Sequence, residues 1–466
     1  MADTELNAPA AVAAAAGGAA GKTTSDLTHG PVLATLVRLA VPNMMAMVAI
    51  ASVSIAETKY VGLLGRDALA AMAIVFPPTM LMHTLGGGAI GGAVSGAVSR
   101  GLGAQDVPLA RSLSHHSLVI ALAAGLTFSV LFLAGGPWIF ALLGATGPVL
   151  DEALRYSTVL FGGAVFLWLG NILVSIVRGT GNMRLASGSV LAMSALQIAA
   201  GAALGLGWGP FPRWGMAGVA AGQVIAYVAI TLWLAYCLTS PHAPVRLSWR
   251  GERLSGAMFW RILRVGLLAC LSPLQSVLTV VVLTSLVARL GVDALAGYGI
   301  GARLEFLAIP VAFGVGVATL TMVGMAMGSG NVARARQVAW TGGALSAAVV
   351  GSIGLVVCLW PEVWAGLFTS QVEVVHYASQ YLRWAGPGFA FFGLGLTLFF
   401  AAQAAGKVLG PVLGGTSRLL VVCIGGALLA FWDAPSWAYF ALVGVSMACY
   451  GLVTATLIWR TDWNKR

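Results

Sequence analysis

From residue 33 onward the chain alternates long apolar runs with short polar breaks. The runs lie near 33–62, 68–98, 112–140, 152–177, 184–206 and 216–238, then 259–288, 294–326, 337–359, 378–402, 410–432 and 436–459. An α-helix needs about 20 such residues to cross the hydrocarbon core of a bilayer, and each run is long enough. One polar break is longer than the rest, "SPHAPVRLSWRGERLSGAM" at 240–258. The pattern predicts an all-α polytopic membrane protein of about twelve transmembrane helices in two six-helix lobes. Residues 31–239 form the N-terminal lobe, 240–258 a cytoplasmic linker and 259–460 the C-terminal lobe. The Ala- and Gly-rich residues 1–30 carry early acids, Asp3 and Glu5, and lack the basic start and apolar run of a secretory signal. They are expected to be a disordered cytoplasmic tail, as are residues 461–466.

The two halves repeat each other. "LGRDALAAMA" at Leu64 to Ala73 returns as "LGVDALAGYG" at Leu290 to Gly299, which carries Gly65 onto Gly291. "GAQDVPLAR" ending at Arg111 returns as "GSGNVARAR" ending at Arg336, and Tyr156 maps to Tyr381 and Gly181 to Gly406. The offset stays constant to within one position through all four landmarks, which marks a duplication. An even number of spans per unit makes both halves enter the membrane from the same side. Such parallel repeats relate by an axis along the membrane normal, and transporters built this way bind substrate between the halves. Gly88, Gly92 and Gly96 recur at a spacing of four, as do Gly324 and Gly328, and are expected to line one helix face and allow close packing. Pro42, Pro77, Pro78, Pro310 and Pro387 fall inside spans and are expected to kink them.

Composition excludes a soluble protein: 59% of residues are hydrophobic, only 9% are charged, and 61 are glycine. The formal charge of +10 would suit a nucleic-acid partner if it were clustered on one surface. Instead, most Lys and Arg fall in breaks on the side that the N-terminus would share, which is the bias that orients membrane proteins with basic loops in the cytoplasm. Both termini are therefore expected in the cytoplasm, and no nucleic-acid partner is expected. Arg418 counts among these inner cations, and His115 and His116 read as interfacial. The five cysteines stand singly in apolar runs, without the Cys/His spacing of a metal site or a disulfide framework. Neither a cofactor nor a metal is expected.

At the repeated motifs the chain resembles the multidrug and toxic compound extrusion family, within the superfamily of polysaccharide and lipid-precursor exporters. The resemblance rests on "ETKYVGLLGRDALAAMAIVFP" from Glu57, "SGAVSRGLGAQD" to Asp106 and "RGTGN" at Arg178 to Asn182. In the second half it rests on "VARLGVDALAGYGIGARLEFL" from Val287 and "AGPGFAFFGLGL" from Ala385. It implies two six-helix lobes that alternate between inward- and outward-facing states, and export of organic cations and amphiphiles in exchange for protons or sodium ions. It further implies a bacterial inner-membrane location. Nothing in the two-lobe plan requires a second copy, so a monomer is expected.

Ionisable side chains at membrane depth are costly and become functional candidates. Glu57 lies late in the first span, where the family carries an acid, usually Asp. An apolar setting favours the neutral form of a carboxylate, so such a group can carry a proton. The alternative is that Glu57 snorkels to the headgroups, being only about 12 Å of helix from Gly65. Glu305 is the second ion-coupling candidate. With Arg303 it stands about 20 Å along the eighth span, and Arg303 is expected to join a polar network inside the C-terminal lobe. Gln197, Gln275 and Gln403 are neutral polar residues in apolar spans, either cavity-lining or interhelical ties. Met47 and Phe391 are candidates to line an amphiphile pocket, and His83 is a weak relay candidate. Three positions depart from the family pattern. Gln197 and Gly201 stand where many relatives pair Asn with Asp, Gln275 stands where some carry Glu, and the tenth span lacks a carboxylate. So few acids favour protons over sodium. A flippase of lipid-linked or polysaccharide precursors is the alternative, and it would want a more cationic cavity. No HExxH, GxSxG or cluster of acids with His marks an intramembrane enzyme.

Overall fold

The computed structural model describes residues 27–241, 243–248 and 253–464, and all regular structure among them is helical. The first half contains α1 (Val32–Leu64), α2 (Arg66–Gly103), α3 (Val107–Leu142), α4 (Gly147–Gly162), α5 (Ala164–Gly179), α6 (Met183–Leu206) and α7 (Met216–Thr239). The second contains α8 (Gly256–Ala288), α9 (Val292–Gly328), α10 (Val332–Leu359), the short α11 (Pro361–Ala365), α12 (Val372–Ala385), α13 (Gly388–Ala405), α14 (Leu409–Phe431) and α15 (Ser436–Arg460). Eleven helices are long and apolar enough to cross a membrane. The pair α4 and α5, bent by 52° at its break, supplies a twelfth. The chain is a multi-pass membrane protein. Most of the expected N-terminal tail, and residues 242 and 249–252 of the expected linker, lie outside the described residues.

The sequence repeat is written into the backbone. Gly65 and Gly291 both take positive φ, +132° and +110°, before a helix start, and Gly181 and Gly406 do so at +83° and +73°. Asp106 and Asn331, equivalent positions in the two halves, cap α3 and α10. Each side-chain oxygen accepts the backbone N–H three residues on, at 2.9 Å from Leu109 and 3.0 Å from Arg334. The fourth span of each half is broken at an equivalent glycine, Gly163 between α4 and α5 and Gly388 at the start of α13. A Cβ on Gly163 would run into Val224 of α7, and one on Gly388 would press on Gly444 and Met447 of α15. Each break thus adjoins a close helix approach, tighter at Gly163 than at Gly388.

The helices pack into two compact units, residues 45–266 with 27–29, and residues 30–44 with 267–464. α1 therefore starts in the second unit and finishes in the first, whereas α8 starts in the first and finishes in the second. In the first unit Phe161 stacks on Phe132 at 4.0 Å, and Ser129 Oγ donates to Phe161 O at 2.6 Å. There α6 and α7 touch backbone to backbone, because a Cβ on Gly222 would collide with the Gly201 main chain. In the second unit Tyr381, Phe389, Phe440 and Met447 close a core around α9, α12, α13 and α15. The outer faces carry exposed Ile55, Val130, Leu232, Val281 and Val445, apolar surface that lipid covers.

The glycines expected to share one helix face do not share one unbroken α-helix. Residues Thr84–Ile90 of α2 form a π-helical segment, so Gly88 precedes a shift in register and Gly92 follows it. A Cβ on Gly91 would strike Ser175 of α5. His115 and His116, expected at the interface, are fully buried. Each ring folds back onto its own helix, with Nδ1 at 2.9 Å and 2.7 Å from the carbonyls of Arg111 and Ser112. His116 Nε2 also accepts the Ser255 N–H at 2.9 Å and so holds the start of α8.

Candidate ion-coupling and substrate site

Glu57 lies on the last turns of α1, and 6% of it is exposed. It does not snorkel. Gln197 Nε2 of α6 donates to its Oε1 at 2.9 Å, and no Lys or Arg among the described residues pairs with it. One turn further along α1, the buried Tyr60 hydroxyl has no hydrogen-bond partner. It points at Gly201, where a Cβ would come within 2.7 Å of it. The missing side chain at 201 therefore leaves the space that the Tyr60 hydroxyl occupies. A buried hydroxyl without a partner is uncommon and marks a place where a water, ion or ligand can bind.

A second polar cluster stands within electrostatic reach of Glu57. Tyr156 of α4 donates to Gln223 Oε1 at 3.0 Å, Gln223 Nε2 meets His83 Nε2 at 3.0 Å, and Tyr227 Oη meets His83 Nδ1 at 3.2 Å. Tyr227 is also hydrogen-bonded to the Asn171 side chain, and Glu57 acts electrostatically on both tyrosines. Asn171 in turn packs on Gly86 and Gly87 of the π segment.

In the second unit Glu305 is bound rather than free. Arg418 Nη2 donates to its Oε1 at 3.2 Å, and Tyr381 Oη to its Oε2 at 3.2 Å. The Arg418 and Glu305 side chains are 7% and 15% exposed, and the guanidinium also lies over the Phe392 ring at 5.4 Å. Two expectations need correction. Arg418 is no cytoplasmic cation; it lies within the span and balances Glu305. Arg303 is no member of that network; it is exposed, with its guanidinium over Phe368 at 5.2 Å, and borders a cavity of about 420 Å³ with Thr369 and Gln371. Counting residues along α9 could not tell that Arg303 faces outward while Glu305 faces Arg418. The 37-residue helix is roughly 55 Å long, and the segment joining α10 to α12 folds beside its residues 300–303, with Trp364 Nε1 donating to Ile300 O at 3.1 Å.

The other candidates are scattered. Gln275 Nε2 donates to Thr416 Oγ1 at 2.8 Å and ties α8 to α14, while its Oε1 is buried without a partner. Gln403 is wholly buried in the second unit, and Met47 and Phe391 are half-buried. The sequence reading marked Glu57 and Gln197 separately, and the structure joins them; it did not mark Tyr60, Gln223, Tyr227 or Asn171, and it noted Tyr156 only as a repeat landmark. Tyr156 and Tyr381 were visible as repeat landmarks, and Arg418 stood inside a span on the boundaries drawn from the sequence. Those were the available signals.

The MatE family description matches residues 42–202 and 269–428. The chain belongs to the MATE family. It is 23% identical to the FAD transporter of Shewanella oneidensis, over 91% of this chain and 95% of that one. It is 26% identical to the multidrug export protein MepA of Staphylococcus aureus, over 89% of each. Among solved structures it is similar to a MOP superfamily transporter from Pyrococcus furiosus, with a TM-score of 0.85 and 24% identity, covering 93% of this chain and 96% of that one. It is also similar to a MATE protein in the straight conformation, with a TM-score of 0.85 and 24% identity, covering 93% and 98%. The MATE chain accordingly has the two-lobe fold, and members of its family are membrane transporters of small molecules.

Proposed function

We propose that this MATE protein exports a cationic or amphiphilic small molecule in exchange for protons by alternating access, with Glu57 as the proton carrier. The observation that carries the reading is the state of the two buried acids. Glu57 accepts one amide hydrogen bond and no Lys or Arg among the described residues balances its charge, whereas Glu305 is already matched by Arg418. Only the first can gain and lose a proton without leaving an ion stranded in an apolar interior. A cationic substrate and a proton then compete for one carboxylate, and the open Tyr60 hydroxyl offers either of them, or a water, a second contact. Gln197 positions the carboxylate. Gln275, Gln403, Arg303, Met47 and Phe391 remain secondary candidates for the substrate path.

Protons are favoured over sodium because a sodium site needs several oxygen ligands in one place, and no group of three acids, His or Cys gathers among the described residues. The name of the Shewanella relative raises an anionic substrate as the rival. The buried Arg418 is already paired with Glu305, which supports the cation. We further infer that both termini face the cytoplasm of a bacterial inner membrane and that one chain suffices. The test is transport of a fluorescent organic cation by proteoliposomes under an imposed pH gradient or an imposed sodium gradient. Transport driven by the pH gradient alone is expected. Transport driven by sodium alone, or of no cation at all, would overturn the reading.

A further inference from the structure

The cavity beside Arg303 plays no part in the exchange at Glu57, and its walls carry a chemistry of their own. Ala296, Gly299 and Arg303 fall on one face of α9 at spacings of three and four, and Phe368, Thr369, Gln371 and Val374 complete the lining. The last four belong to the segment after α10 and to the first turn of α12. That segment connects the third span of this half to the fourth, so it lies at a membrane surface. The Trp364 bond to Ile300 O, at 3.1 Å, holds it beside α9. The volume of about 420 Å³ falls within the range of small-molecule sites, about 300–1,000 Å³.

The lining is a set of donors around one positive charge. Arg303 lies over the Phe368 ring at 5.2 Å, which steadies the guanidinium without satisfying its N–H groups. No carboxylate among the described residues pairs with it: Glu305 is held by Arg418 and Glu362 by Arg383, and Asp293 and Glu373 do not line the cavity. Thr369 Oγ1 accepts the Gln371 N–H at 3.1 Å, which fixes the turn and leaves the hydroxyl proton to donate. The Gln371 side chain does not cap α12. The first main-chain bond of that helix runs from Val375 N–H to Gln371 O at 3.0 Å, so the N–H groups of Val372, Glu373 and Val374 stand outside the helical ladder. Such a lining repels the cationic cargo proposed above and suits an anion, and the planar guanidinium fork matches a phosphate.

The surroundings indicate which phosphate. The same connecting segment exposes Val363 and Leu367, and α12 opens with the exposed Val372. A cation among exposed apolar side chains at a membrane surface matches the two parts of a phospholipid, headgroup phosphate and acyl chain. The choline or ethanolamine of a zwitterionic headgroup finds no acid among the lining residues, so an anionic headgroup fits better. The internal repeat shows that the fold does not demand this chemistry: Pro77, Leu143 and Thr146 stand at the positions equivalent to Arg303, Phe368 and Gln371. We propose that the Arg303 cavity binds the phosphate of an anionic phospholipid, which clamps the segment before α12 to α9. The site goes beyond the exchange reading and does not depend on Glu57.

The test is hydrogen exchange, read by mass spectrometry, on the full chain in nanodiscs of phosphatidylcholine with or without phosphatidylglycerol. Exchange at residues 370–375 should slow by about threefold or more when phosphatidylglycerol is present. Residues 145–150, the equivalent stretch of the first half, should not change. R303Q should abolish the difference between the two lipids, whereas an Arg303 that merely braced the segment would, when replaced, raise exchange equally in both. Equal exchange in the two lipids, a slowing shared by residues 145–150, or a slowing that survives in R303Q would each overturn the proposal. So would the same slowing from glycerol 3-phosphate added to phosphatidylcholine nanodiscs, since that would give the cavity to soluble phosphate esters. The wild-type comparison needs no variant to fold.

Discussion

A buried carboxylate can be kept neutral by its surroundings or balanced by a cation; we propose the former for Glu57 in the first unit, and Glu305 in the second unit takes the latter. In the second, Arg418 and Glu305 are mutually dependent. Arg418→Met should lower stability by about 3 kcal/mol, because it leaves an unmatched buried charge. The double variant with Glu305→Met should recover most of the loss, as a thermal-melt double-mutant cycle in detergent would show. In the first unit Gln197→Leu removes the hydrogen bond that Glu57 accepts from Gln197 Nε2. Proton-driven transport should fall severalfold while substrate affinity stays within about threefold, and an unchanged rate would show that Gln197 is a bystander. The sequence marked Glu57 and Gln197 because both are polar residues in apolar runs. It could not name Arg418 as the partner of Glu305, since that depends on which helix faces α9 rather than on spacing.

Glycine placement governs the helices. Gly222 lets α7 lie directly on the Gly201 backbone of α6, and Tyr60 of α1 closes over the same glycine. Gly222→Leu should separate these helices, drop the melting temperature by many degrees and abolish transport together with folded yield. At the start of α8, His116 accepts the Ser255 N–H. His116→Leu should cost about 1–3 kcal/mol by orphaning that donor, and hydrogen exchange at the first turn of α8 should rise where the rest of the helix stays protected. The twelve apolar runs were legible to within a few residues, because lipid imposes their length. The π segment of α2 and the breaks after α4 and α12 were not, because glycine at a spacing of four suits a continuous α-helix equally well.

Across the whole molecule, the internal repeat anticipated the two halves and the paired left-handed glycines, since a duplicated chain repeats its turns as well as its spans. It did not anticipate that α1 and α8 would each divide between the two packing units, which depends on packing rather than on duplication. Topology is testable at this scale. Alkaline phosphatase fused after Gly209 or Asp433 should be active, and green fluorescent protein fused at the C-terminus should fluoresce; the opposite result at any of the three would invert the orientation. The central claim, that a proton leaves Glu57 when substrate binds, can be read without a membrane. Substrate added to the purified protein in weakly buffered solution near neutral pH should release about one proton per site, and E57Q should release none while still binding substrate. Equal release from both proteins would contradict the account and place the coupling proton elsewhere.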